Sequence, residues 1–572
     1  MISLARVRPG PQSLAWLDAT INHLKGGHAL APVSVVVASN HVGLAVRRRL
    51  AGRGYANVRF GVLRRMAEPL GAPALAAAGK SALTRPSEAA AIREAVRHQG
   101  QGFGAVGQHG ALIRTLTRLF RELRAADLDA AQLEDLAGWG VMAQAAVTVF
   151  KEYRRRVSVA GLYDDHDLFA AATAVLTGSP VPRLGSEMGP VVVYLPVAQT
   201  EAQARLLRAL SSHTRVWLAL ADLGDSQADR PAAAVARALD LDWEGHPAPR
   251  PPPSDVRLLV APDATEEVRS VVRLLLSRLE QGQAAGRTAI LYREFEPYGG
   301  LIRDTLDAAG VPWAGIDGRP LSQSWAGRGL LGLLRLRQRD FARVDVLDWL
   351  GTLPEPDPGH VSIGDWDRFS RQATVVQGAG QWRDRLRRYA DGVIFRAQRL
   401  EESDAGDDQI RYLRRQAGTL ERMAGHIERA EIATRAPAER TWGALTSWAE
   451  KVRLAFMPAA ESWPDREREA DELVTQVLDQ MASAGAVESE VGVERFVEAC
   501  QAALDDQRQM EGRLGSGVVV GPIGAVCGME FDSVFVLGAT ERALPQPAPP
   551  DPFFPPGGGP DPLGRVERRR TE

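Results

Sequence analysis

The sequence predicts an α/β protein with two parallel-sheet cores, each interrupted by a mostly helical insertion. Three observations lead there. β-Branched runs feed directly into helical apolar spacing in two separate stretches, residues 33–70 and 256–292. Two long tracts, 88–177 and 325–507, carry helical spacing. Strand signals return after each tract, at 191–220 and 518–537, so each core is completed by residues beyond its insertion.

Val33–Ser39 is a β-branched run ending in small polar residues, and Val42–Leu50 follows as a helix. Val58–Val62 with Leu63–Leu70 forms a second, shorter βα unit. From Glu88 to about Thr177 the spacing is helical, as in Ile113, Leu116, Phe120 and Leu123, and no strand is expected there. Val191–Leu195 and Val216–Leu220 read as strands. The prolines of Gly245–Ser254 lack donors and fix φ, which predicts a semi-rigid linker. Val256–Val260 is expected as a strand, Ala264–Glu280 as a helix and Thr288–Tyr292 as a strand. Trp325 to about Gln507 is helical, broken at the turn-rich Leu353–His360 and the acidic Glu401–Asp408. Val518–Val520 and Val534–Leu537 restart strands, and Gln546–Gly564 is expected as an extended loop. The expected domains are 1–87 with 178–244, holding the insertion 88–177, and 255–324 with 508–572, holding the insertion 325–507.

At 572 residues the chain is expected to hold three or four units with cores of their own. Its 45% hydrophobic and 24% charged content excludes a disordered chain. Lys and Arg total 69 against 71 Asp and Glu, so contact with a polyanion rests on local patches. The two cysteines, Cys500 and Cys527, exclude a disulfide framework and a four-cysteine metal site, and Cys527 is expected as a small buried residue. No apolar run reaches the roughly 18 residues of a membrane span, and Met1–Gly10 lacks a signal-peptide core. A soluble cytoplasmic protein with no membrane partner is expected.

Ser39-Asn40 leading to Arg47 and Arg49, then Ala289-Ile290-Leu291-Tyr292-Arg293 continuing to Gly310-Val311-Pro312-Trp313, then Gly528-Met529-Glu530-Phe531 are short motifs along the chain. Their order resembles that of superfamily 1 helicases of the UvrD/Rep type. The stretches Gly161–Ala172, Val191–Leu210 and Gly521–Pro545 are similar to AddB-type helicase–nuclease subunits and bacterial PD-(D/E)XK nuclease family proteins. The resemblance implies two RecA-like parallel-sheet domains, Ser39 and Asn40 at single-stranded DNA, Tyr292 on adenine, Arg293 at the γ-phosphate and Glu530 at the ribose. It also implies an ATPase or nuclease partner subunit, and a nuclease domain beyond Glu572, so a fragment of a longer protein is expected.

The motor's own chemistry is missing. A P-loop needs consecutive backbone donors, a Lys for the phosphates and a hydroxyl for Mg²⁺. The corresponding place, set before the first expected strand, reads Val7-Arg8-Pro9-Gly10-Pro11-Gln12-Ser13, with no Lys and with two prolines that remove donors. Where a motor has two carboxylates, this chain has Leu195-Pro196, and Cys527 stands where the resemblance places a Lys. ATP and Mg²⁺ are therefore disfavoured.

Each candidate site has a plainer reading beside it. Tyr292 and Arg293 serve equally as an aromatic plug and a surface charge at a strand end, and Glu530 as a turn cap. Arg114, Arg118 and Arg121 share one helical face, either solvated or tracking DNA phosphates together with Arg47–Arg49, Arg64-Arg65 and Arg154–Arg156. Trp382, Arg383, Arg385, Arg387, Arg388 and Tyr389 either stack bases or form an amphipathic surface helix. Asp164, Asp165, His166 and Asp167 read as an acidic helix start rather than a metal cluster. The leading expectation is a helicase-like scaffold that binds single-stranded or unwinding duplex DNA without hydrolysing ATP. The alternatives are an active helicase with an unconventional phosphate site and a protein-interaction module without ligand.

Overall fold

The computed structural model describes residues 2–178, 188–243, 255–352, 361–403, 407–457, 463–512, 514–541, 543–544 and 552–554. The expected linker 245–254, the segment 353–360, the middle of the acidic stretch and nearly all of the tail lie outside the described residues. Contacts divide the chain into two compact units. One comprises Met1–Leu83, Ile92–Asp317 and Met510–Glu572, the other Thr84–Ala91 and Gly318–Gln509.

The first unit opens with β1 (Ile2–Val7) and α1 (Pro11–Lys25), then β2 (Val33–Val36), α2 (Asn40–Leu50), β3 (Val58–Gly61) and α3 (Leu63–Ala77). Pro11 sits in the first turn of α1, where a missing N–H costs nothing, after Gly10 at φ 107. After β4 (Ser81–Ala82) come α4 (Arg85–Gln99), α5 (Gly110–Ala126), α6 (Ala130–Ala137), α7 (Val141–Val159), β5 (Leu162–Tyr163) and α8 (Asp165–Gly178). Then follow β6 (Val191–Tyr194), α9 (Glu201–Ser211), β7 (Val216–Ala221) and α10 (Arg230–Ala238). The first sheet has the order β1-β7-β6-β2-β3 with parallel neighbours throughout. The chain leaves β2 toward β3 on one side and β6 toward β7 on the other, so the order reverses between β2 and β6. Outside the carboxyl ends of such a pair, open α/β sheets form their crevice.

The second half of this unit contains α11 (Ala264–Glu280), β8 (Thr288–Tyr292), α12 (Tyr298–Ala308) and β9 (Trp313–Pro320), whose end runs into the other unit. The other unit is helical: α13 (Trp325–Leu336), α14 (Arg343–Thr352), α15 (Ile363–Gln372), α16 (Ala379–Glu402), α17 (Asp407–Ala433), α18 (Trp442–Phe456), α19 (Asp465–Met481) and α20 (Val493–Asp506). Strands β10 (Arg508–Glu511), β11 (Val518–Pro522) and β12 (Ser533–Val536) complete a second sheet of order β10-β9-β11-β8-β12, in which β9, β11, β8 and β12 run parallel.

Five sequence expectations change. β1 and α1 were not anticipated, so the Val7–Ser13 turn follows a strand instead of preceding the first one. The 88–177 tract does contain a strand, since β5 pairs with β4. Its last helix, α8, packs Leu168, Phe169, Ala172 and Leu176 into one cluster with Val191, Val193 and Leu218 of the first sheet. Val256–Val260 joins no ladder: Val256, Leu258 and Val260 are each at least 74% exposed. A β-branched apolar run specifies a strand only when a sheet edge receives it. Cys527 is exposed, whereas Cys500 is buried and its thiol is pushed up by that burial.

In the helical unit, ion pairs Arg387–Glu428, Arg383–Glu431 and Arg414–Glu401 keep a nearly constant index sum, so α16 and α17 run antiparallel. Trp382 is fully buried and donates its Nε1–H to the Phe341 carbonyl at 2.8 Å. The amphipathic-helix reading of Trp382–Tyr389 therefore holds for that indole, which has no face left for a base. Among the described residues no helix is long and apolar enough to cross a membrane.

Candidate ligand cleft

At the carboxyl ends of the first sheet's strands lies a cavity of about 260 Å³. Its first wall comes from the β1–α1 turn (Pro9, Gly10, Ser13, Leu14), from α2 (Ala45, Val46, Arg48, Arg49) and from Tyr194 at the end of β6. The facing wall comes from loops that precede strands of the second sheet: Gly286 and Arg287 before β8, Gly515 before β11, and Gly528–Phe531 before β12. The volume is below the roughly 300–1,000 Å³ of common small-molecule sites.

The sequence dictates the floor. Ser13 and Tyr194 are both buried and their hydroxyls lie 2.8 Å apart. Ser13 has one hydroxyl hydrogen, which goes to the Gly10 carbonyl at 2.8 Å, so Tyr194 donates to Ser13 Oγ. The pairing ties the β1–α1 turn to the end of β6. Burial raises the Tyr194 pKa, keeping the phenol protonated as this donor. The next residue, Leu195, has φ 47, a left-handed backbone that costs a non-glycine residue about 1 kcal/mol or more.

The walls are joined by an ion pair: Arg49 Nη2 lies 2.6 Å from Glu530 Oε2. Arg287 pairs with Asp532, its Nε at 2.9 Å from Oδ2; the hydrogen bond to Arg287 holds the Asp532 carboxyl below its ordinary range. Arg48, the remaining lining cation, lies against Gly515.

The predicted site residues separate into groups. Ser39 caps α2, its Oγ accepting from Val42 N at 3.3 Å, and Asn40 is exposed beside it. Arg47 is exposed on α2, while the charge of Arg49 is engaged by Glu530. Arg114, Arg118 and Arg121 are exposed on α5, opposite buried Ile113, Leu116, Phe120 and Leu123, and Arg118 lies 3.5 Å from Glu122. The expected nucleotide trio is not brought together. In the parallel register Ser533 faces Thr288 and Val536 faces Leu291, so Glu530 lies at the amino end of β8. Tyr292 ends β8 at the other side, about 13 Å along the strand from Thr288. Its ring is fully buried and its hydroxyl donates to Asp317 Oδ2 at 2.7 Å, so the plug reading describes it. Arg293 is half-buried beside it. Ser13, Tyr194 and Arg287 were not singled out from sequence, and Arg48 only within the basic run Arg47–Arg49. Ser13 and Tyr194 stood in the two stretches compared with motor motifs, while nothing in the sequence marks Arg287.

Asp164, His166 and Asp167 bring ligand atoms within 4.8 Å of one another, yet arginines engage both carboxylates and His166 Nε2 lies 2.8 Å from Asp127 Oδ1. Arg124 bonds both Asp164 oxygens (2.7 and 2.9 Å) and Asp167 (2.7 Å), and Arg154 reaches both acids. Each aspartate also accepts from the other's backbone N–H, which is the helix-start reading. Burial pushes the Asp164 carboxyl up, but Arg124 outweighs it and holds the group well below the carboxylate range. A depressed folded pKa gives stability that is full above the unfolded value near 4 and is lost as pH falls through the folded one. The difference in melting temperature between wild type and Asp164→Asn is therefore expected to be constant from neutral pH to about 4 and to shrink below it. A difference that grows on acidification contradicts this.

No protein-family model matches this chain, and a search of curated proteins returns no match.

Proposed function

We propose that this chain is a helicase-like DNA-binding scaffold of a bacterial repair or recombination helicase–nuclease, without ATPase activity of its own. On this reading two RecA-like cores hold single-stranded DNA, and a partner subunit supplies the ATPase and nuclease activities. The observation that carries it is the Ser13–Tyr194 hydrogen bond at the crevice of the first sheet. Two neutral hydroxyls bond each other where a motor would hold Mg²⁺ and its carboxylate. The turn above them has prolines at 9 and 11 and no Lys. Burial of Tyr292 removes the expected adenine contact, which disfavours the active-helicase alternative.

DNA affinity on this reading comes from exposed arginines on α2 and α5, by counterion release and without base readout. Purified protein is expected to bind oligothymidylate with salt-dependent affinity and to release phosphate from ATP at background rate, with or without DNA. DNA-stimulated phosphate release that disappears in Arg293→Ala contradicts the motor-dead half of the proposal.

A further inference from the structure

The two sheets of the first unit meet across the cleft through direct side-chain contacts. Arg49 on α2 reaches Glu530 at 2.6 Å, and the Glu530 side chain is mostly enclosed. Beside it Met529 packs against the first sheet's cluster, which contains Val42, Val46 and Tyr194. The loop comes this close because Gly528 has φ 91 and no Cβ; a Cβ there would stand 3.3 Å from Val42 Cγ1. Gly515, at φ 86, lies likewise under the Arg48 guanidinium.

We infer that Arg49–Glu530, with Met529 seated beside it, is a built-in latch that keeps the two sheets closed without nucleotide. In a nucleotide-driven pair of cores, closure derives its free energy from contacts with the triphosphate. Here the same loops are joined by a charge pair with one member largely out of solvent and by an apolar side chain in the opposite core. A ligand shifts a conformational equilibrium only by its differential affinity for the two states, so closure supplied by the chain itself leaves nucleotide little to change. The latch stands whether or not DNA binds, so its failure and that of the scaffold reading are distinguishable.

Hydrogen exchange of the full chain tests it, read at residues 40–50 and 526–531 with and without ATP and Mg²⁺. Wild type is expected to be equally protected in both conditions. Arg49→Glu, which places two like charges together, is expected to exchange about fivefold faster in both segments. The charge swap Arg49→Glu/Glu530→Arg is expected to recover most of that protection. Wild-type exchange as fast as Arg49→Glu, a swap that recovers nothing, or a marked gain of wild-type protection on adding ATP and Mg²⁺ each overturn the latch.

Discussion

A chain carrying Arg114→Glu, Arg118→Glu and Arg121→Glu is expected to bind single-stranded DNA about a hundredfold more weakly at ~0.1 M salt. Each phosphate contact to a single strand contributes a slope of about 0.7 in log K against log salt concentration. Three lost contacts therefore remove about two log units at that concentration and reduce the slope by about two. The fold tolerates the change, because the three side chains are exposed and the buried face of α5 is formed by Ile113, Leu116, Leu119, Phe120 and Leu123. Fluorescence anisotropy titrations at several salt concentrations read both quantities. Unchanged affinity and slope assign this face to solvent, which is the plainer reading of the sequence.

Trp382→Ala is expected to destabilise the helical unit by about 3–5 kcal/mol. The indole is fully enclosed at the centre of the cluster formed by α13–α20 and packs edge-on against Trp366 at 5.9 Å. Removing it leaves a cavity and leaves the Phe341 carbonyl without the N–H it accepts. Trp382→Phe keeps much of the volume and is expected to lose less. Urea unfolding followed by hydrogen exchange within 318–509 measures both, and a Trp382→Ala midpoint equal to wild type contradicts this account of the core.

Periodicity made much of the architecture legible. α11 and β8 occupy the residues their apolar spacing predicts, Ala264–Glu280 and Thr288–Tyr292, and the second helical tract begins at Trp325 as expected. β1 and α1 escaped because Ile2–Val7 mixes Ser, Ala and Arg into a short run and because Pro9, Gly10 and Pro11 read as irregular chain. Only pairing with β7 makes the run a strand. Val256–Val260 shows the converse, a strong strand pattern that no neighbour receives.

The residues of the cleft were only partly legible. The Pro9–Pro11 turn and Leu195-Pro196 read as departures from a phosphate site, and that reading does not foresee that Ser13 and Tyr194 bond each other across 181 positions. Likewise Arg49 and Glu530 were assigned to different ligands, DNA and ribose, whereas they bond each other over 481 positions. A single sequence carries no term for such long-range pairing. Tyr292 left two readings open for a related reason: an aromatic residue ending a strand has the same pattern whether it faces a ligand or the core, and here it is buried with its hydroxyl on Asp317.

DNA binding independent of nucleotide is tested most directly by an anisotropy titration of labelled oligothymidylate with the purified chain, from about 50 to 200 mM salt, with Mg²⁺ held constant and ATP present or absent. Binding is expected to weaken steeply with salt and to be the same with and without ATP. Absence of salt-dependent binding, or an affinity that changes when ATP is added at constant Mg²⁺, contradicts the scaffold proposal.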